Sequence, residues 1–385
     1  MNNDRKPRRP VVRDARPLPS GKRAFELQFH WIFILIAGAL ILAFFFSVAY
    51  KQQALSKQKL QYRLVTDIEN ILTGAIVGKG TAQRLPVPPN GIRFKCAEGC
   101  SCQFFIDATP GSFGERAIFA PEQLKDRDLF VWSFEWKLPY RATNFLFLTN
   151  PNIKYYFVHS ADSFSTSLLG QLTKKIPPPI TQKGQVLTKF DYENITAAEM
   201  KTMQKEEYEH AKFVLLNVDP PQLGDSFKKA SFSAIKIDDE NGVSFYEKDG
   251  TSFRRVKYLS YVGLPSIYAA IFAQDHTMYE CGLKTAFRKL AYVSQLYAER
   301  AAELQEKAFA AEKVWCAFGA PSTAPVCQQQ TDSLTVVGML CQQHKLGKEL
   351  SAKIDDPKIR ALSSLMENLD SANRNFLQQG CPELF

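Results

Sequence analysis

The groups best able to do chemistry in this chain are eight cysteines and five histidines. Three thiols crowd one short stretch, Cys96, Cys100 and Cys102, spaced C-x3-C-x-C. Thiols this close hold a metal or form disulfides. Structural zinc uses four ligands, usually as two C-x2-4-C pairs, and here the fourth is missing nearby. Disulfides are the preferred reading, with zinc and unlinked thiols as alternatives. The other five are Cys281, Cys316, Cys327, Cys341 and Cys381. An even count suits a complete disulfide framework in an oxidising compartment. The competing reading is a cytosolic chain with reduced, buried thiols. Cys316 and Cys327 flank a short loop containing Gly319 and Pro325, so a bridge closing that loop is the simplest local pairing. Such a bridge would contribute about 2–3 kcal/mol.

The histidines are His30, His159, His210, His276 and His344. His159-Ser160-Ala161-Asp162 follows an expected strand, where α/β folds often place their sites. His210 with Asp219, and Asp275 beside His276, complete the acid–base candidates. A Ser or Cys hydrolase can be assembled from such parts, because a triad is defined in space. The chain has no G-x-S-x-G, no H-E-x-x-H and no G-x-x-x-x-G-K-[ST], the motifs that would anchor hydrolase, zinc or phosphate chemistry. No residue is therefore assigned a catalytic, cofactor-binding or metal role. Turn or hydrogen-bond duty is the expectation for His159. Asn194-Ile195-Thr196 is an N-glycosylation sequon, usable on the outer side of a membrane.

The elements that must position these groups are dominated by residues 27–50, which carry no formal charge. From Trp31 to Ala49 the run is broken only by Gly38 and Ser47. A helix of this length matches a hydrocarbon core of about 30 Å. A buried helix of a soluble protein and a cleaved signal peptide are the alternatives; the h-region of a signal peptide is shorter. Residues 1–28 hold eight Lys or Arg against three acids, net +5 of the chain's +9. The positive-inside rule places that tail in the cytoplasm and the main body outside. The remaining charge is mild, which argues against a nucleic-acid partner.

The expected organisation is a disordered basic tail over 1–28, a transmembrane helix over 29–50 and an extramembrane helix over 51–80. An α/β body over 81–262 and a helical, disulfide-bearing region over 263–385 follow. Leu60, Leu64, Ile68, Ile71, Leu72 and Ala75 form one apolar stripe beyond the membrane. That stripe needs cover, either from the protein's own body or from a neighbouring subunit, and the former is preferred. The rod over residues 24–78 resembles the N-terminal architecture of type IV pilins and pseudopilins, in which an apolar helix carries a globular head. Ala24-Phe25-Glu26 stands where those families have a processing site and a Glu.

Within the body, strands are expected at 131–136, 144–149, 154–158, 212–218, 231–237, 243–247 and 254–259. Helices are expected at 163–175 and 197–209, and then from 264 or 267 to 318, 331–350 and 358–376. The fold class is α/β, with α+β as the alternative. The expected function is a non-enzymatic, single-pass membrane protein whose extracytoplasmic body binds or scaffolds proteins. It would serve an envelope, pilus-like or secretion assembly. A membrane-anchored hydrolase or thiol-dependent enzyme and a ligand-sensing receptor subunit are the alternatives. The partners expected are the lipid bilayer and other proteins, with no cofactor.

Overall fold

A computed structural model describes residues 22–78, 80–87, 91–125, 128–202, 210–222, 231–239, 241–319, 326–329 and 334–385. The expected disordered tail falls mostly outside the described residues, as do 203–209 of the second expected helix. The chain divides into two units, Met1–Leu60 and Gln61–Phe385.

Helix α1 is one element, Lys22–Val77. It contains no proline and only two glycines, Gly38 and Gly74, each a loss of about 1 kcal/mol against alanine. In the first unit Trp31, Phe33, Leu35, Phe45 and Phe46 are all exposed. This helix is long and apolar enough to cross a membrane.

The second unit opens on the last turns of α1. Val65, Ile68, Leu72 and Ala75 are each at most 6% exposed and belong to the main core. Polar groups hold the same helix in register. Gln61 Nε2 donates to Asp107 at 2.8 Å, and Glu69 accepts from the Ser112 amide at 2.8 Å. Asn144 Nδ2 donates to the Ile76 carbonyl at 2.6 Å and Ser133 Oγ to that of Gly78 at 2.7 Å. These bonds satisfy carbonyls that a helix end leaves open. Of the expected stripe, Ile68, Leu72 and Ala75 are thus buried against the protein's own body and Leu64 partly so, while Leu60 and Ile71 stay exposed.

After α1 come β1 (Ala82–Pro86), β2 (Ile92–Cys96), β3 (Cys102–Ile106), β4 (Thr109–Ser112) and β5 (Ala117–Phe119). They are followed by β6 (Gln123–Leu124), β7 (Asp128–Lys137), β8 (Arg141–Thr149) and β9 (Ile153–His159). Helix α2 (Ser163–Lys175) leads to β10 (Ile180–Gln182), β11 (Gln185–Thr188) and β12 (Tyr192–Thr196). Next are α3 (Ala197–Thr202), β13 (His210–Leu216), β14 (Ser231–Ile237), β15 (Gly242–Asp249) and β16 (Ser252–Ser260). The C-terminal region is helical: α4 (Gly263–Phe272), α5 (His276–Ala310), α6 (Val326–Gln329), α7 (Val336–Ala352) and α8 (Asp356–Gln378).

The fold is mixed α/β. One sheet has the order β1-β7-β8-β5 and a second β4-β3-β2-β6. The largest has the order β12-β9-β13-β14-β15-β16, with β10-β11 a separate hairpin. Strands β12, β9, β13 and β14 are parallel; β15 and β16 return antiparallel through tight turns. Helix α4 lies between two sheets. Its Phe272 ring stands 5.0 Å from Phe147 of β8 and 5.6 Å from Tyr155 of β9. Helix α4 is almost wholly buried because it is apolar all round, as a helix between two sheets must be.

Two expectations are corrected. The single helix from 264 or 267 to 318 is two helices, and the second ends at Ala310. Ala273 is extended and the Asp275 carboxylate accepts from the Met278 amide at 2.8 Å, so an N-cap starts a new helix there. The cysteines pair as Cys96–Cys102, Cys100–Cys281, Cys316–Cys381 and Cys327–Cys341. Cys316 does not bridge to Cys327. The chain leaving α8 turns back to bring Cys381 within 5.6 Å (Cα–Cα) of Cys316, while α6 sets Cys327 5.0 Å from Cys341 of α7. Cys96 and Cys102 face each other across the β2–β3 ladder. Cys100, at the turn between them, is tied to α5. The clustered thiols are thus engaged in disulfides, an arrangement that leaves no sulfur for zinc.

Candidate functional site

The parallel part of the large sheet has the order β12-β9-β13-β14, so connections leave β9 and β13 toward opposite sides. Such a switch point is where open α/β sheets place ligands, beyond the carboxyl ends of the strands. His159-Ser160-Ala161-Asp162 falls there. The Asp162 carboxylate accepts from the Ser160 hydroxyl and from the Ser165 amide at 2.8 Å, with Ser165 Oγ at 2.6 Å. The bond from Ser160, then those from Ser165, hold Asp162 down at about 2. It stays ionised as the N-cap of α2 and is no acid or base near neutrality. His159 Nδ1 lies 3.2 Å from the Ser160 carbonyl. These groups satisfy one another, as the expected hydrogen-bond role requires.

The other expected pair comes apart. His210 begins β13, which alone spans roughly 20 Å at the rise of a strand, and Asp219 lies past its far end. Asp219 instead meets Lys236 Nζ at 2.6 Å. His344 Nδ1 lies 2.7 Å from the Ala291 carbonyl between α5 and α7.

The opposite, amino edge of the sheet gathers what the sequence scattered. A hollow of about 350 Å³ is lined there by His210, Lys212, Ser231, Glu247, Gln274 and Asp275, among others. A smaller hollow of about 40 Å³ shares Lys212, Glu247, Gln274 and Asp275 and adds His276. Residues 273–275 reach this edge because α4 ends there, against the start of β13.

Lys212 is the central group. It lies on the same face of β13 as Val214 and Leu216, and is 6% exposed. Its Nζ donates to the carbonyls of Ala270 at 2.9 Å and Ala273 at 2.5 Å. Burial lowers its pKa to about 7, against a weaker opposing pull from Asp275. A neutral amine has two N–H bonds and one lone pair. Both N–H bonds have carbonyl acceptors here, which leaves the lone pair available. Beside it, Gln274 Oε1 is buried with no hydrogen-bond partner among the described residues. The larger hollow therefore offers an amine poised near neutrality, an unmatched acceptor, the His210 imidazole and the carboxylates of Glu122, Glu247 and Asp275, with His276 at the smaller one. That set can bind a small polar molecule that donates a hydrogen bond.

Sequence reasoning placed Lys212 at the start of the expected 212–218 strand and gave it no role. Its signal was the two-residue period that puts it on the face of Val214 and Leu216. All eight cysteines are paired, so a thiol-dependent reaction finds no resting thiolate among them. A further groove, about 580 Å³, lies between α2 and α4, with Phe164, Leu168, Leu264 and Ile267 on its walls. No protein-family model, curated protein or solved structure matches the chain.

Proposed function

We propose that this chain is a single-pass membrane protein that displays residues 61–385 outside the cytoplasm and works there by binding protein partners. The observation that carries this reading is a body closed by four disulfides, on a chain whose exposed helix has membrane length and composition. Disulfides persist in oxidising compartments. The +5 charge of residues 1–28 favours a cytoplasmic tail. The apolar-walled groove between α2 and α4 suits a side chain from a partner. Envelope and secretion assemblies are the settings this reading favours. A pilus-like bundle is less needed for the part of the α1 stripe at Ile68, Leu72 and Ala75, which the body already covers.

Topology is tested by adding protease to intact cells or spheroplasts. Digestion of the body with survival of the tail is expected; a protected body would overturn the orientation. Scaffolding is tested by native mass measurement of full-length protein in mild detergent after crosslinking in cells. A defined complex larger than the 43.5 kDa chain is expected. Uniform monomer would overturn that part.

One observation favours a second reading, a ligand-sensing subunit: the unmatched Gln274 acceptor in the Lys212 hollow. A thermal-shift screen of small polar compounds on wild type and Gln274→Met tests it. A compound that stabilises only the wild type is expected. Equal shifts in both proteins, or none, would overturn it.

A further inference from the structure

We infer that Asn194 carries an N-linked glycan that shields an open sheet edge. This rests on the extracytoplasmic placement proposed above. Asn194-Ile195-Thr196 lies within β12, the terminal strand of the large sheet. Among the described residues β12 pairs only with β9, in parallel, with Asn194 opposite Phe157. Ile195 turns inward into the core beneath the sheet, and Asn194 is exposed. Among the described residues no hydrogen bond holds the Asn194 side-chain amide, so a group attached to this exposed side chain breaks none.

The two edges of this sheet differ in how they deter pairing. At the far edge, β16 carries Arg254, Arg255 and Lys257, charges that natural sheets use against edge-to-edge association. At the near edge, β12 carries only Glu193, which meets Lys154 at 3.3 Å. A glycan on Asn194 supplies the missing guard. The sequon's hydroxyl is not free once the chain folds. Thr196 and Glu199 form a reciprocal capping box at the start of α3, with Thr196 Oγ1 2.9 Å from Glu199 Oε2. Transfer therefore falls on the extended chain, before β12 and α3 form. In that step Asn194 Nδ2 bonds to the anomeric carbon of a lipid-pyrophosphate-linked oligosaccharide. The bond from that carbon to the pyrophosphate oxygen breaks, the lipid pyrophosphate leaves, and the amide loses one proton to solvent.

Full-length protein isolated from its own cells provides the test. Trypsin releases residues 190–201, a peptide with Asn194 as its single asparagine. Mass spectrometry is expected to find it bearing sugar, and Asn194→Gln to abolish the accompanying gel shift. An unmodified peptide from protein whose body protease reaches on intact cells would overturn the glycan alone. An unmodified peptide from a protected body would overturn the glycan and the topology together. Enzymatic removal of the sugar from folded protein is expected to raise self-association in size-exclusion runs. Unchanged association would keep the site and overturn the shielding role.

Discussion

A lysine on the inner face of a sheet is costly when charged, and Lys212 is kept there by two carbonyls at the end of α4. Its titration gives a measurable consequence. The unfolded side chain keeps its proton up to about pH 10.4, whereas the folded one releases it near 7. Between those values the unfolded state binds more protons, so stability rises with pH. The slope approaches about 1.4 kcal/mol per pH unit for one group. Below pH 7 both states are protonated and the destabilisation is fully present. Chemical denaturation of wild type across pH 7 to 10 is expected to show this rise, and Lys212→Met to lack it. Parallel profiles in the two proteins would show that the amine stays protonated in the fold. At this scale the sequence yielded residue types but not company. His210, Asp275 and His276 were each visible, yet only the return of α4 to the start of β13 brings them to one edge. That His210 and Asp219 do not meet could not be read by proximity in sequence, since a strand carries its two ends far apart.

At the level of elements, helix α5 shows one choice decided by packing rather than propensity. Gly282 sits in its interior, where alanine is normally better by about 1 kcal/mol. A Cβ there would lie 2.3 Å from the ring of Phe119 in β5. That ring has little room to move. It is fully buried, with Phe145 at 5.2 Å and Phe147 at 5.9 Å. Overpacking of this kind costs about 1–3 kcal/mol, so Gly282→Ala is expected to destabilise. A denaturation midpoint that rises instead would mean the Phe119 ring yields. The same scale explains what was legible. Strands β8, β13 and β14 and helix α2 announce themselves through apolar runs, period and caps. The break between α4 and α5 does not, because the polar stretch 274–277 is short, apolar residues continue before and after it, and only the capping role of Asp275 betrays the stop. Strands β1 and β12 lie in polar or Pro-rich stretches and form because β7 and β9 offer them ladders.

For the whole molecule, the decisive question is what covers the helix that leaves the apolar segment. In the second unit Ile68 and Leu72 are 4% and 1% exposed, within the core that also holds Phe94, Phe104 and Trp132. Cutting both side chains to alanine removes burial at about 2–5 kcal/mol each. The sum rivals the 5–15 kcal/mol by which proteins of ordinary stability stay folded. The double variant Ile68→Ala, Leu72→Ala, made in full-length detergent-solubilised protein, is therefore expected to lower the unfolding temperature sharply in the monomer itself. Hydrogen bonds from Asn144 and Ser133 to the end of α1 would remain in sequence, so the loss reports on apolar cover alone. A neighbouring subunit as the true cover predicts the opposite pattern, a monomer of unchanged stability that no longer enters its complex. That pattern would mean the body's contacts with α1 contribute nothing to folding.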